Sequence, residues 1–255
     1  LERITPIVLA VGTTHPLNIA GVGLDARIAA ALHVRIVTIV AGISAQNATR
    51  VLGRTPVDPD TIDAQFAAVR DVPIDAIHVG ALLDADSVAA VARGVAGLAG
   101  VPVVCDPVIA ATGGDRLADE STIEALRDVL FARCSLLTPN LDEAALLLDR
   151  PIADIASMED AARRLLGCGA AAVLVKGGHL RAAPTDVLAT ASGTTHFTGD
   201  RIAGTLRGTG DLLACTIAAR LAHGDSLVAS VDAARRFVRD ALIAGVDFAG
   251  ARTLP

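Results

Sequence analysis

Short apolar runs alternate with longer helix-like segments along almost the whole chain. That alternation limits the possible folds more than any other feature. Strand-like runs fall at Ile7–Val11, Arg35–Ala41, Ala76–Val79, Val101–Cys105, Ser135–Leu137 and Ala171–Val175. Helix-like segments separate them at Val22–Leu32, Ile62–Val69, Asp84–Leu98 and Glu120–Phe131, and then at Asp142–Leu148 and Met158–Leu166. Val187–Thr190 and Thr194–Thr198 read as a strand pair about the turn dipeptide Ser192-Gly193. Two helices, over 211–223 and 226–247, close the chain, and the stretch before Ile62, rich in Thr, Pro and Asp, reads as a loop. Repeated β–α alternation predicts an α/β fold with a mostly parallel sheet covered by helices on both faces. No composition shift, Ser/Gly linker or internal repeat marks a boundary, so one domain over 1–255 is expected.

The core can be specified further. Hydrophobic residues make up 52% of the chain, yet it has no Trp, no Tyr and five Phe. The interior must be Ala, Val, Leu and Ile, which suits buried parallel strands under Ala-rich helices. A net charge of −6 without a Lys/Arg cluster argues against a nucleic-acid surface. Cys105, Cys134, Cys168 and Cys215 match neither a CxxC metal site nor a small disulfide scaffold, and read as thiols of a reducing compartment. No apolar run is long enough to span a bilayer, and the N-terminus lacks a secretory pattern. A cytoplasmic protein with no membrane partner is expected.

In a parallel sheet, ligands bind beyond the carboxyl ends of the strands. The polar motifs fall there. Asp106 follows Val101–Cys105, Asn140 follows Ser135–Leu137, and Lys176 follows Ala171–Val175. Near the end of the chain, Gly208-Thr209-Gly210-Asp211 leads into a long apolar helix that is expected to begin at Asp211. Free N–H groups at a helix start attract an anion. A carboxylate beside such a cradle suits phosphoryl transfer: the amides stabilise the transferring group and Asp211 accepts a proton. The competing reading is a glycine turn with Asp211 as a cap. Asn140 and Glu143, three apart, share a face. They are candidates to hold hydrated Mg²⁺ with phosphate, or a capping pair with Asn140 at the helix start. Lys176-Gly177-Gly178-His179 reads as a phosphate grip, or as a solvated turn lysine; His179 is given no catalytic role.

In order and spacing, the set resembles the ribokinase superfamily, and within it the hydroxymethylpyrimidine/phosphomethylpyrimidine kinases of thiamin synthesis. The resemblance runs through Gln46-Asn47, Val79-Gly80-Ala81-Leu82, Asp106-Pro107-Val108 and Gly113-Gly114-Asp115-Arg116-Leu117. It continues through Thr138-Pro139-Asn140-Leu141-Asp142-Glu143, Lys176-Gly177-Gly178-His179 and Gly208-Thr209-Gly210-Asp211. It implies a ribokinase-like three-layer sandwich and transfer from ATP with Mg²⁺. The acceptor would be a small aminopyrimidine alcohol or its phosphate. Asn140, Glu143, Lys176 and Asp106 would then serve nucleotide phosphates and metal, Asn140 and Glu143 being the metal candidates. Gly208, Thr209 and Gly210 would form the anion hole with Asp211. Gln46, Ala20, Gly21, Asp25 and Gly80 would line the acceptor pocket, and a homodimer is the expected assembly.

Two departures stand out. The pyrimidine kinases usually carry Cys after Gly-Thr-Gly, where this chain has Asp211, as in sugar and many pyridoxal kinases. The first loop usually reads Gly-Ser-Asp-Pro-Ser-Gly-Gly-Ala-Gly. Here His15 replaces the acid and Asn18-Ile19 the double glycine, while Ala20-Gly21 and Asp25 survive. The alternatives are therefore a pyridoxal- or pyridoxamine-type kinase, and a weakly catalytic pyrimidine or nucleotide sensor.

Overall fold

The computed structural model describes residues 5–111, 113–180 and 183–255. Leu1–Ile4, part of the stretch read for a leader, lie outside the described residues.

A nine-stranded sheet runs through the chain in the order β3-β2-β1-β4-β5-β6-β7-β8-β9. Its strands are β1 (Ile7–Thr14), β2 (Arg35–Gln46), β3 (Val51–Pro56), β4 (Ala76–Val79), β5 (Val103–Cys105), β6 (Leu136–Leu137), β7 (Ala172–Val175), β8 (Thr185–Thr190) and β9 (Gly193–Thr198). Neighbours from β2 across to β7 pair in parallel. Antiparallel strands close both edges, β3 on one side and β8 with β9 on the other.

Helices cover both faces. They are α1 (Gly21–Ala31), α2 (Pro59–Ala68), α3 (Ala85–Ala96), α4 (Glu120–Ala125), α5 (Leu141–Leu148), α6 (Ile155–Leu166), α7 (Thr209–Ala222) and α8 (Leu227–Ala244). The two-residue period of a strand sorts the core between the faces. In β1, Ile7, Leu9 and Val11 join the cluster under α2 to α6, while Val8 joins the cluster under α7 and α8. The same sorting in β4 sends Ile77 and Val79 one way and Ala76 the other. The clusters are built almost wholly from aliphatic side chains, as the composition requires. Among the described residues, no helix is long and apolar enough to cross a membrane.

Three elements differ from expectation. The stretch read as a loop after the second strand contains β3, and β2 continues past Ala41 to Gln46. Most of β3 is exposed and it ends on Pro56, so its sequence lacks the apolar alternation of an interior strand; edge strands tolerate this. The helix read over Glu120–Phe131 breaks into α4, a wider turn at Leu126–Leu130 and a tight turn at Phe131–Arg133. The final helix stops at Ala244, and an antiparallel hairpin follows, β10 (Val246–Phe248) and β11 (Ala251–Thr253). That hairpin packs beneath the Gly208 loop: the Arg207 N–H donates to the Arg252 carbonyl at 2.9 Å, and Leu254 joins Leu206, Leu24 and Leu212 in one cluster.

Candidate active site

The parallel strands share a direction, so their carboxyl ends form one edge of the sheet. β1 runs there into the first loop, β2 ends at Gln46, and β4 is followed by Gly80. β5 is followed by Asp106, β6 by Thr138-Pro139-Asn140, and β7 by Lys176.

The turn into α7 lies against this edge. The helix begins at Thr209, so Gly208 is its N-cap, not Asp211 as expected. Gly208 has φ +76, a left-handed conformation that glycine adopts without strain, and a Cβ there would stand 2.6 Å from the Ile19 carbonyl oxygen. No side chain caps the helix, so the first amides of the turn keep their hydrogen-bonding capacity for a ligand. Gly210 is small for a different reason: a Cβ would meet Asp106 Oδ2 at 2.6 Å and Lys176 Nζ at 3.4 Å. The amide turn therefore sits directly beside a carboxylate–ammonium pair.

Asp106 is buried, Lys176 is partly so, and the pair is well connected. Lys176 Nζ donates to Asp106 Oδ1 at 2.6 Å, and Thr138 Oγ1 donates to the same oxygen at 2.9 Å. Glu143 Oε2 lies 4.0 Å from Lys176 Nζ. Burial disfavours charge on Lys176, but Asp106 and Glu143 outweigh it and raise the ammonium above its usual value. In place of a solvated turn lysine, the structure has a partly buried cation with two acidic neighbours. Asn140 and Glu143 form the capping box: Glu143 N–H donates to Asn140 Oδ1 at 2.9 Å, and Asn140 N–H donates to Glu143 Oε2 at 2.8 Å. Burial pushes the Glu143 carboxyl up to about 7 despite Lys176.

Asp211, in the first turn of α7, faces the first loop. Its Oδ2 accepts the Gly21 N–H at 3.1 Å. Burial, with the negative charge of Asp25 next, pushes it up to about 7. A carboxyl balanced there can accept a proton near neutral pH and release it again. Gly80 lies beneath it, where a Cβ would come 3.6 Å from Asp211 Oδ1.

Neutral contacts shape the remaining side. His15 Nε2 accepts the Ala20 N–H at 3.0 Å and so holds the loop ahead of α1. Burial lowers the His15 pKa, which keeps the ring neutral and able to accept. Asn18 sits at φ +51 and Ile19 is fully buried. The double glycine has thus given way to a residue type that tolerates the left-handed region and an apolar plug. Gln46 is the last residue of β2, and Ser44 Oγ donates to its Oε1 at 3.0 Å.

Asp25 differs from expectation. It is 1% exposed and lies under the loop, where His78 Nδ1 donates to its Oδ2 at 3.0 Å. His78, in the middle of β4, was not expected at all. One polar residue inside the apolar run Ala76–Val79 was the available signal. The donor atoms of Asp25, His78 and Cys215 lie within 4.8 Å of one another. Two of them already bond each other, and burial holds the Cys215 thiol protonated, so this is a closed ion pair capped by a thiol.

A model of the phosphomethylpyrimidine kinase family matches residues 17–253. The chain belongs to that family. Hydroxymethylpyrimidine/phosphomethylpyrimidine kinase of Mycobacterium tuberculosis is 38% identical over 224 residues, covering 86% of this chain and 82% of that protein. A crystal structure of an ADP complex of Bacillus subtilis pyridoxal kinase superposes with a TM-score of 0.90 at 25% identity, over 98% of this chain and 97% of that one. Phosphomethylpyrimidine kinase from Clostridium difficile superposes with a TM-score of 0.84 at 22% identity, over 93% of this chain and 100% of that chain, and so shares the fold. The ribokinase-like α/β architecture expected from the motifs is the one observed.

Proposed function

We infer that this member of the family is an ATP-dependent kinase of hydroxymethylpyrimidine and of its monophosphate, serving thiamin biosynthesis. One observation carries the reading: a buried carboxylate, Asp211, stands at an amide turn that abuts the Asp106–Lys176 pair. Proton acceptor, anion cradle and countercharge thus occupy one corner of the sheet edge.

The transfer follows from that arrangement. The acceptor hydroxyl gives its proton to Asp211 as its oxygen bonds to the γ-phosphorus of ATP. The bond from that phosphorus to the bridging oxygen breaks, and ADP leaves. The amides of Gly208, Thr209 and Gly210 balance charge on the transferring group, and Lys176 balances charge on the nucleotide phosphates. For the monophosphate acceptor, the attacking oxygen already carries charge near neutral pH. Asp211 then matters less than the cradle.

Mg²⁺ fits the same corner. Glu143 is a carboxylate whose burial, with Asp106 nearby, holds its proton up to about 7 despite Lys176, so a further cation would find a ligand there. A divalent cation would be held by Glu143 and nucleotide phosphates, with Asn140 orienting the carboxylate through the capping box. Mg²⁺ commonly binds through one or two carboxylates and phosphates while keeping water. When bound, it supplies neutralisation of phosphate charge.

A pyridoxal-type kinase is the second reading, favoured by Asp211 where pyrimidine kinases usually carry Cys. An ATP-consumption assay across hydroxymethylpyrimidine, its phosphate, pyridoxal, pyridoxamine and ribose separates the two. Turnover with both pyrimidines is expected. Turnover with pyridoxal alone would replace the first reading with the second, and tight binding without turnover would make the protein a sensor.

A further inference from the structure

The Asp25–His78 pair has no role in the transfer described above, yet it lies directly under the base. His78 is fully enclosed and Asp25 is 1% exposed. His78 Nε2 and Asp25 Oδ1 have no partner among the described residues. A buried ion pair is seldom more stabilising than an apolar pair of the same shape. Stability therefore does not account for charges sealed in an aliphatic core.

Their position does. His78 and Gly80 are two apart on one strand line, so both point towards α1 and α7. A Cβ on Gly80 would stand 3.9 Å from His78 Cε1 on one side and 3.6 Å from Asp211 Oδ1 on the other. Glycine at this position leaves the imidazole and the base with almost nothing between them. Cys215, four residues after Asp211 on the same helix, places its Sγ 4.0 Å from the Asp25 carbonyl oxygen. It ties the helix of the base to the helix of the pair.

We propose that Asp25 and His78 are a positioning pair that sets how readily Asp211 takes up the acceptor's proton. The inference rests on Asp211 being the proton acceptor. The imidazolium of His78 favours the carboxylate form of Asp211, whereas the carboxylate of Asp25 disfavours it. Asp25 in turn holds the proton on His78, whose pKa stands at about 9 although burial acts against it. The remaining groups facing Asp211 are Asp106 after β5, Lys176 after β7, the Gly21 amide and the Cys215 thiol on its own helix. His78 itself faces Asp25, Asp211 and Asp106.

The test is the acid limb of kcat/KM for the alcohol acceptor, paired with ¹³C NMR titration of the Asp211 carboxyl in the free protein. In His78→Gln the limb should rise by about one pH unit, because a cation a few ångströms away is lost from a low-dielectric site. In Asp25→Asn it should fall by less, because the carboxylate that raises Asp211 is lost but His78 also gives up the proton that Asp25 held. His78→Lys keeps the charge and should restore the wild-type limb. Opposite movements from two members of one pair are not produced by general damage to the fold. Lower kcat with an unmoved limb and an unmoved Asp211 titration would reduce the pair to a structural role. If His78→Gln does not fold, Asp25→Asn decides alone, since it leaves no unpaired buried carboxylate. The NMR titration needs no turnover. A wild type inactive on every acceptor would defeat the kinase reading, while NMR would still report on the pair.

Discussion

The two ends of the site are built on different physics. At the transfer end, charges hold one another. Lys176, Asp106 and Glu143 lie within bonding or near-bonding distance, and the amide turn of α7 abuts them. At the acceptor end, neutral contacts do the holding: His15 with the Ala20 amide, and Ser44 with Gln46. A charge network has to be fixed as a whole, because an unpaired buried charge is costly. A neutral hydrogen bond contributes about 0.5–1.5 kcal/mol and can be exchanged for another. This chain departs from the pattern it resembles throughout the first loop, at the neutral end, and at the charged end only in Asp211, while Asp106, Glu143 and Lys176 are retained. Substrate preference can then drift without disturbing the transfer machinery.

The sharpest way to break that contrast is Asp211→Asn. Loss of a general base lowers the rate by about 10²–10⁴, and kcat with hydroxymethylpyrimidine should fall by that much. With the monophosphate the loss should be smaller, since its attacking oxygen needs no base. Equal, small losses on both acceptors, measured on purified variant, would return Asp211 to a structural role. In the wild type, kcat/KM for the alcohol should decline as pH falls through about 7, because protonated Asp211 cannot accept a proton.

Gly210→Ala probes the same end through the backbone. The new Cβ would meet Asp106 Oδ2, and that carboxylate cannot yield because Lys176 and Thr138 both bond to Oδ1. The amide turn must shift instead. Misplacement of about 1 Å costs around 10²-fold in rate, so kcat should fall by that order with both acceptors while circular dichroism stays unchanged. A variant with wild-type kcat would show that the cradle tolerates movement.

How much of this was readable beforehand follows the same division. The clustering of Asp106 and Lys176 was legible because each follows an apolar strand directly, Asp106 after Cys105 and Lys176 after Val175. A carboxylate or ammonium at such a place is conspicuous, and the strand direction brings them together. The helix start was misjudged by two residues because Gly208, not a polar side chain, caps it. β3 and the β10–β11 hairpin were missed because their exposed residues carry little periodic signal. The Asp25–His78 pair was beyond reach in a different way. Asp25 reads as a pocket residue in the sequence, and only the packing of α1 against β1 and α7 turns it inwards. Of the two readings of Asn140 and Glu143, the capping box is the one seen, and it leaves the carboxylate 4.0 Å from Lys176 Nζ.

Gln46→Leu tests the neutral end. The amide offers a donor and an acceptor, matching the ring nitrogen and exocyclic amine of an aminopyrimidine. Leaving those groups unpaired costs about 1–3 kcal/mol, or roughly 5- to 150-fold in acceptor affinity. ATP affinity should be unchanged, because Lys176 and the amide turn are untouched. Calorimetric titration with each ligand reads both numbers. Equal weakening of ATP and acceptor would mean that the two ends are coupled and that the contrast between them is false.

The smallest effect concerns His15, and it separates the loop's stability from its chemistry. The neutral ring accepts the Ala20 N–H, and burial holds the His15 pKa below the ordinary 6.5. Between those two values the unfolded chain binds a proton that the folded chain refuses. The contribution of His15 is therefore complete above about pH 6.5 and is lost as pH falls towards the folded-state pKa. His15→Gln keeps an acceptor for the Ala20 amide but removes the titration. At pH 7.5 the two proteins should melt within about 1 °C of each other. At pH 5.5 the wild type should melt lower by about 2–4 °C, the shift expected for around 1 kcal/mol in a chain of this size. Calorimetric melting curves at both pH values decide it. A difference that does not change with pH would show that His15 serves the loop by shape alone, without a proton-sensitive bond.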